Sequence, residues 1–149
     1  DAQGNVNATK MGAVAAGAGG FIDITSTAKN VVFCSTFTGG QITVEFDECG
    51  ITILQEGRFR KLVKKVQQIS YNGKMAVSRG QNMFYVTERA VFQLPEDGPM
   101  LLEIASGADL ERDILANMEF RPLIAEHIKE TPIHIYREGP FGLKNIIKG

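Results

Sequence analysis

Two runs constrain the chain more than anything else in it. ITVEF (42–46) and ITILQ (51–55) both alternate, and only DECG separates them. Alternation of period two places one set of side chains on each face of a strand, and a short Asp/Gly link reverses the chain, so the pair predicts a β-hairpin. The neighbouring sequence is also β-forming. VVFCSTF (31–37) is β-branched and aromatic and is predicted to be a buried strand ending at Thr38-Gly39-Gly40. MFYVTERAVFQL (83–94) is a run of β formers interrupted at Thr87-Glu88-Arg89. PEDG (95–98) then turns the chain and PMLLEIA returns it, a second predicted hairpin.

Helical signals are few. FIDITSTAKN follows a glycine- and alanine-rich stretch, MGAVAAGAGG, and can wind as a short helix with Phe21, Ile22 and Ile24 inward. Asp109 precedes LERDILANM, whose Leu110, Ile114, Leu115 and Met118 share one helical face. RFRKLVKKV (58–66) fits helical spacing through Phe59, Leu62, Val63 and Val66, but a strand with lysines guarding a sheet edge fits equally. Turns are expected at Gly4-Asn5 and Asn72-Gly73. Pro122, Pro132 and Pro140 punctuate a poorly periodic tail, 122–149, expected to lie along a larger body. No internal repeat or linker divides residues 1–149, which read as one unit.

Composition narrows the function classes. The chain has 149 residues, 44% hydrophobic and 22% charged, as in ordinary globular proteins. Its 16 basic and 17 acidic side chains leave a net charge of −1, which speaks against a protein whose main business is binding nucleic acid phosphates. The longest apolar stretch, Met11 to Ile22, is too short and too glycine-rich for a membrane span. Cys34 and Cys49 lack CxxC spacing and read as two thiols rather than a disulfide, Cys34 as a core thiol in a cytoplasmic protein. Neither His127 nor His134 is followed or preceded by a serine, cysteine or second ligand at motif spacing, so neither a triad nor a zinc site is expected. The basic run Arg58, Arg60, Lys61, Lys64 and Lys65 reads as a solvated face. Glu88-Arg89, inside an apolar strand, calls for a structural ion pair, because an unpaired charge there is costly. The chain opens at Asp1 in a turn-like DAQGN, which is expected of a fragment or a processed product.

One segment carries potential chemistry. Gly17-Ala18-Gly19-Gly20 precedes the first helix, where glycine permits positive φ and close approach to backbone amides. Amides at such a turn can bind an anion or a developing oxyanion; the alternative is a tight structural turn. The segment is not a dinucleotide fingerprint, since it lacks the third glycine and the acid beyond it.

GNVNATKMG, GAGGFIDIT, KNVVFCSTFT, ITILQEG, YVTERAVFQL and LLEIASGADLERDIL follow one another in the order and spacing of the last part of family I coenzyme A transferases. The closest resemblance is to the bacterial acetate/propionate type, acting between short-chain acyl-CoA and free carboxylates, and the ending IYREGPFGL resembles that group's tail. The resemblance implies the C-terminal portion of the open α/β CoA-transferase fold, with β-hairpins and few helices. It implies CoA transfer by a ping-pong route through a glutamyl-CoA thioester, with acyl-CoA and carboxylate as substrates and no permanently bound cofactor. Carried over to this sequence, the family's GxGG loop is Gly17-Ala18-Gly19-Gly20, in the oxyanion and CoA-thioester environment. Asn5 and Lys10 are further site-lining candidates, with a structural turn the equal alternative.

One departure stands out. The family's nucleophilic glutamate lies in a Ser-Glu-Asn-Gly motif before that loop, and here no Glu precedes Gly17. Glu45, Glu56, Glu88 and Glu103 lack that context. The resemblance therefore implies that the nucleophile lies upstream, that this chain alone is inactive, and that its partner is the N-terminal remainder of the enzyme, in a homo-oligomer. The alternative function is a non-catalytic module acting only in assembly.

Overall fold

The computed structural model describes residues 1–136, 139, 140 and 142. The tail ending IYREGPFGL thus falls partly outside the described residues.

Eleven strands and two α-helices are described. Two short strands, β1 (Lys10–Met11) and β2 (Val14–Ala15), pair antiparallel and lead into α1 (Phe21–Thr27). β3 (Asn30–Cys34) follows. β4 (Thr38–Gly39) pairs with β7 (Phe59–Arg60), and between them β5 (Thr43–Asp47) and β6 (Gly50–Gln55) form the antiparallel hairpin expected from their alternation. α2 (Gly73–Ser78) precedes a meander of β8 (Asn82–Val86), β9 (Ala90–Gln93) and β10 (Met100–Ala105). β11 (Leu123–Thr131) returns parallel to β10. The main sheet has the order β11-β10-β9-β8-β3, parallel at both outer pairs and antiparallel within the meander.

The register explains where the core sits. Val31 is opposite Met83, Phe33 opposite Tyr85, Tyr85 opposite Phe92, and Phe92 opposite Leu101. Since side chains alternate along each strand, these residues line one face. On that face Val31, Tyr71, Ala76, Met83 and Leu94 form one cluster, and Phe37, Ala90, Phe92, Leu101, Ile114 and Met118 a second; Tyr85 packs against both. Each large apolar side chain buried this way contributes about 1.5–3 kcal/mol relative to exposure.

Several expectations change. α1 forms where predicted, but it buries Thr25, while Ile22 and Ile24 face solvent. The Thr25 hydroxyl donates to the Phe21 carbonyl (2.7 Å), which lets a polar residue sit inward without an orphaned group. Asn72-Gly73 starts a helix rather than a turn: Asn72 Oδ1 accepts from Met75 N–H (2.9 Å), an N-cap. MFYVTERAVFQL is two strands turned at Thr87-Glu88-Arg89, so the region is a three-stranded meander rather than one hairpin. Residues 58–66 are helical nowhere and strand only at β7. The aperiodic tail contains the nine-residue β11. The 110–118 segment is a π-helical turn (Leu110–Ile114) continued by a 3₁₀ turn (Leu115–Asn117), capped by Asp109 Oδ1 accepting from Arg112 N–H (2.7 Å). Its apolar residues do reach the core as expected. Both cysteines are free thiols, but Cys34 is exposed rather than in the core, because its place on β3 points it to the uncovered face.

Candidate functional site

The N-terminal segment is tied down before it reaches the glycines. The Asp1 carboxylate accepts from Gln3 N–H (2.9 Å), Asn5 N–H (3.0 Å) and, far away in sequence, Val66 N–H (3.1 Å). Val6 and Tyr71 exchange backbone hydrogen bonds (both 3.0 Å). Ser70 Oγ accepts from Ala8 N–H (3.0 Å) and lies 2.8 Å from Thr9 Oγ1. Asn7 Oδ1 accepts from Thr9 and Lys10 N–H, while its Nδ2 donates to the Lys10 carbonyl (2.6 Å). The side-chain amide of Gln67 grips Gly12 from both sides, accepting its N–H (3.0 Å) and donating to its carbonyl (2.8 Å). Nothing in the sequence marks Gln67 or Ser70 for this role; only the fold brings 66–73 alongside 5–12.

The turn itself follows. Ala16 N–H donates to the Thr9 carbonyl (2.9 Å), closing the β1–β2 ribbon, and the chain then passes through Gly17-Ala18-Gly19-Gly20. Gly17 (φ 76°) and Gly19 (φ 49°) are left-handed, the conformation that side chains with Cβ disfavour. Space is not the reason for glycine here, because a Cβ at either position would meet nothing within 4 Å. The turn's own hydrogen bonds run from Phe21 N–H to the Ala18 carbonyl and from Ile24 N–H to the Gly20 carbonyl (both 3.0 Å). They use neither the Gly19 nor the Gly20 amide. All three glycines are exposed.

The two further candidates part company. Lys10 lies on β1 opposite Ala15, immediately beside the start of the glycine turn. Asn5 is buried in the N-terminal turn: Oδ1 accepts from Gly73 N–H (3.0 Å) and Nδ2 donates to Asp1 Oδ2 (3.2 Å). The structure thus sets Lys10 by the glycines and spends the Asn5 side chain on joining that turn to α2.

Glu88-Arg89 forms the structural ion pair expected of it, within a larger network. The Arg89 side chain is wholly buried; its Nε donates to Glu88 (2.8 Å), Nη1 and Nη2 engage both oxygens of Glu56, and Nη1 also reaches the Asp113 carbonyl (3.0 Å). Its guanidinium lies over the Phe37 ring at 4.9 Å. Burial opposes the charge, but hydrogen bonds to Glu56 and Glu88 outweigh it and hold Arg89 protonated, above its ordinary value. Glu56 further accepts from Thr38 Oγ1 (2.8 Å) and Asn117 Nδ2 (3.1 Å). In the basic run, Arg60 donates to the Ala116 carbonyl (3.0 Å) and Lys61 to Thr36 Oγ1 (2.8 Å). Among the described residues no group of three or more His, Cys, Asp or Glu side chains is placed to hold a metal ion, and no helix is long and apolar enough to cross a membrane.

A mixed sheet covered on one face, entered through a glycine turn whose Gly19 and Gly20 amides make none of the turn's hydrogen bonds, defines an α/β chain. No protein-family model matches it. It is nevertheless 42% identical over 142 residues to acetate CoA-transferase YdiF of Escherichia coli strain K12, covering 95% of this chain and 27% of that protein. To caffeate CoA-transferase of Acetobacterium woodii it is 40% identical over 152 residues, covering 99% and 29%. The crystal structure of acyl-CoA transferase YdiF from Escherichia coli O157:H7, a thioester complex with CoA, matches with a TM-score of 0.93 over 95% of this chain and 28% of that one. The apoenzyme of the same protein matches with the same TM-score. The chain is homologous to the CoA-transferases and has the fold of a portion of one, spanning under a third of the length of the curated relatives it matches.

Proposed function

We propose that this chain is the C-terminal part of an acyl-CoA:carboxylate CoA-transferase that uses short-chain acids such as acetate and propionate. The observation that carries the reading is the match, at 42% identity and a TM-score of 0.93, to an enzyme whose solved structure is a CoA thioester complex. In the proposed reaction a glutamate carboxylate in the rest of the enzyme attacks the acyl-CoA thioester, giving an acyl-glutamyl anhydride and CoA thiolate. The thiolate then attacks the glutamyl carbonyl, releasing the first carboxylate and leaving glutamyl-CoA; the second carboxylate reverses both steps. Covalent catalysis of this kind divides one hard exchange into easier ones.

Each attack makes a tetrahedral oxyanion, and the amides of Gly19 and Gly20 are proposed to face it, with Gly17 and Ala18 shaping the turn and Lys10 beside it. Preorganised backbone donors suit that task because they need no reorganisation as charge develops. Asn5 acts by holding the turn that precedes them. The whole enzyme is proposed to be a cytoplasmic homo-oligomer whose only cofactor-like ligand is CoA as substrate.

Labelled acetate exchange into acetyl-CoA or propionyl-CoA tests the reading, run on the full-length enzyme and on this chain alone. Exchange in the full-length enzyme only is expected. Exchange by the 149-residue chain would place the nucleophile among its own glutamates and overturn the assignment. An assembly role alone draws on the exposure of Met11 (80%), Val14 (67%) and Ile24 (71%) around the glycine turn. In that case the full-length enzyme transfers CoA and substitution of Gly19 leaves its turnover unchanged.

A further inference from the structure

The glycine turn hangs between two supports of unequal strength. On one side is α1, fixed by Phe21 stacked on Phe33 (centroids 5.9 Å apart). Gln81 secures the far end of that helix, its Nε2 donating to the Thr25 (2.8 Å) and Ala28 (2.6 Å) carbonyls. On the other side is the β1–β2 ribbon, which has much less to hold it. Met11 to Ala16 are all exposed, so packing does not fix them, and a two-stranded ribbon is marginal in water without packing. Its root is tied where Ser70 meets Ala8 and Thr9. Its tip is Gly12. Among the described residues, hydrogen bonds reach 10–16 from beyond residue 20 through Gln67 alone.

That contact is chemically particular. Gly12 is left-handed (φ 61°), and its N–H and C=O both meet the one side-chain amide, at 3.0 and 2.8 Å. A side-chain amide carries a donor beside an acceptor, as a strand backbone does; a carboxylate lacks the donor, Lys and Arg lack the acceptor, and Asn is one methylene shorter. Gln67 is itself exposed. Ordering a glutamine at the surface costs conformational entropy, which its bonds to Gly12 must offset.

We propose that Gln67 is a positioning residue for CoA transfer: by pinning Gly12 it sets the tilt of the ribbon, and through Ala16 and Gly17 the aim of the Gly19 and Gly20 amides. Held at its root alone the ribbon can swing, and left-handed Gly17 and Gly19 give the turn no stiffness to resist. Backbone donors stabilise a developing oxyanion only while they keep their aim. The proposal rests on the reading of the turn as the oxyanion site and adds the residue that directs it.

Steady-state labelled-acetate exchange in the full-length enzyme tests this with Gln67→Met, Gly19→Val and the double variant. Gln67→Met, similar in size but without the amide, should lower kcat about tenfold, leave KM for both substrates within about twofold, and keep the urea midpoint. In the Gly19→Val enzyme the same change should cost less than about twofold, since a turn already misdirected has little aim left to lose. A loss of about tenfold in both backgrounds overturns the proposal, because independent losses mean that Gln67 acts elsewhere. So does an unchanged kcat, or a raised KM alone, in Gln67→Met while Gly19→Val is impaired; the reading of the turn then stands. Turnover at the parent rate in Gly19→Val overturns the reading of the turn instead, and the proposal with it. Should Gln67→Met lower the urea midpoint, Gln67→Asn, polar but too short to reach Gly12, carries the same comparison.

Discussion

At the scale of single residues, the glycine turn and the buried arginine make opposite demands. Gly19 has open space around it and is constrained only by its positive φ. Gly19→Val in the full-length enzyme therefore displaces the amides without crowding a neighbour. Turnover should fall at least about tenfold if those amides meet the oxyanion, since one such donor is typically worth ~10²–10³ in rate. Steady-state kinetics on a variant with an unchanged circular dichroism spectrum checks it, and unchanged turnover removes the turn from the mechanism. Arg89 is constrained by everything around it. Arg89→Met leaves Glu56 and Glu88 without their cation, and breaking a buried pair in this way costs about 3–5 kcal/mol; the midpoint of urea unfolding should drop accordingly. Asp113 gives a pH signature. Hydrogen bonds from the Arg112 side chain hold its carboxyl below the ordinary value of 3.8. A carboxyl lowered on folding stabilises above its unfolded value, and that stability is lost as pH falls through the lowered one. Asp113→Asn should flatten the acid limb of stability against pH, and an acid limb as steep as that of the unaltered protein removes Asp113 as its source.

At the scale of elements, the β5–β6 hairpin was legible because alternation and a short Asp/Gly link state both its faces and its reversal. What the sequence did not state is how the hairpin docks. Gly50 (φ 119°) lies so near Ser106 that a Cβ would stand 1.9 Å from its carbonyl oxygen, and Ile51 N–H donates to that same oxygen (2.8 Å). Gly50→Ala must push the hairpin off β10, and overpacking of this kind costs about 1–3 kcal/mol. Thermal unfolding reads the loss, and a melting temperature within a degree of the parent would show that the hairpin yields freely. α1 was legible in place but not in orientation. Its apolar residues suit an inward face by composition, yet the face chosen is the one that puts Phe21 against Phe33 (centroids 5.9 Å apart). α2 and β11 were missed for different reasons. Six residues are too few to show helical periodicity, and β11 alternates weakly because charges line its exposed edge.

At the scale of the whole molecule, the ordered run of motifs pointed to the CoA-transferases, to which the chain is homologous, where local patterns named no reaction. The glycine turn reads as an ordinary strand-to-helix connection by pattern alone; the motifs on either side single it out. The partners of the segment leading into that turn were beyond reach. Gln67, Ser70 and Tyr71 reach Gly12, Ala8 and Val6 from 55 to 65 positions away, and no local signal announces a contact of that span.

The seclusion of Arg89 also decides how the molecule answers to ionic strength. Mobile salt ions weaken attractions they can surround, within a Debye length of about 10 Å at 0.1 M. They cannot surround a guanidinium enclosed by Phe37, Glu56, Glu88 and the Asp113 carbonyl. Arg121 and Glu111, 3.7 Å apart and both some 70% exposed, are open to them. Raising sodium chloride from 0.05 to 1 M, on the order of a threefold to tenfold shorter screening distance, should therefore erase the coupling between Arg121 and Glu111 in a double-mutant cycle. The loss caused by Arg89→Met should stay nearly constant over the same range. The region around β6, β9 and the 110–117 turns is in this sense electrically insulated at its centre, held by a guanidinium that the surrounding solution does not reach.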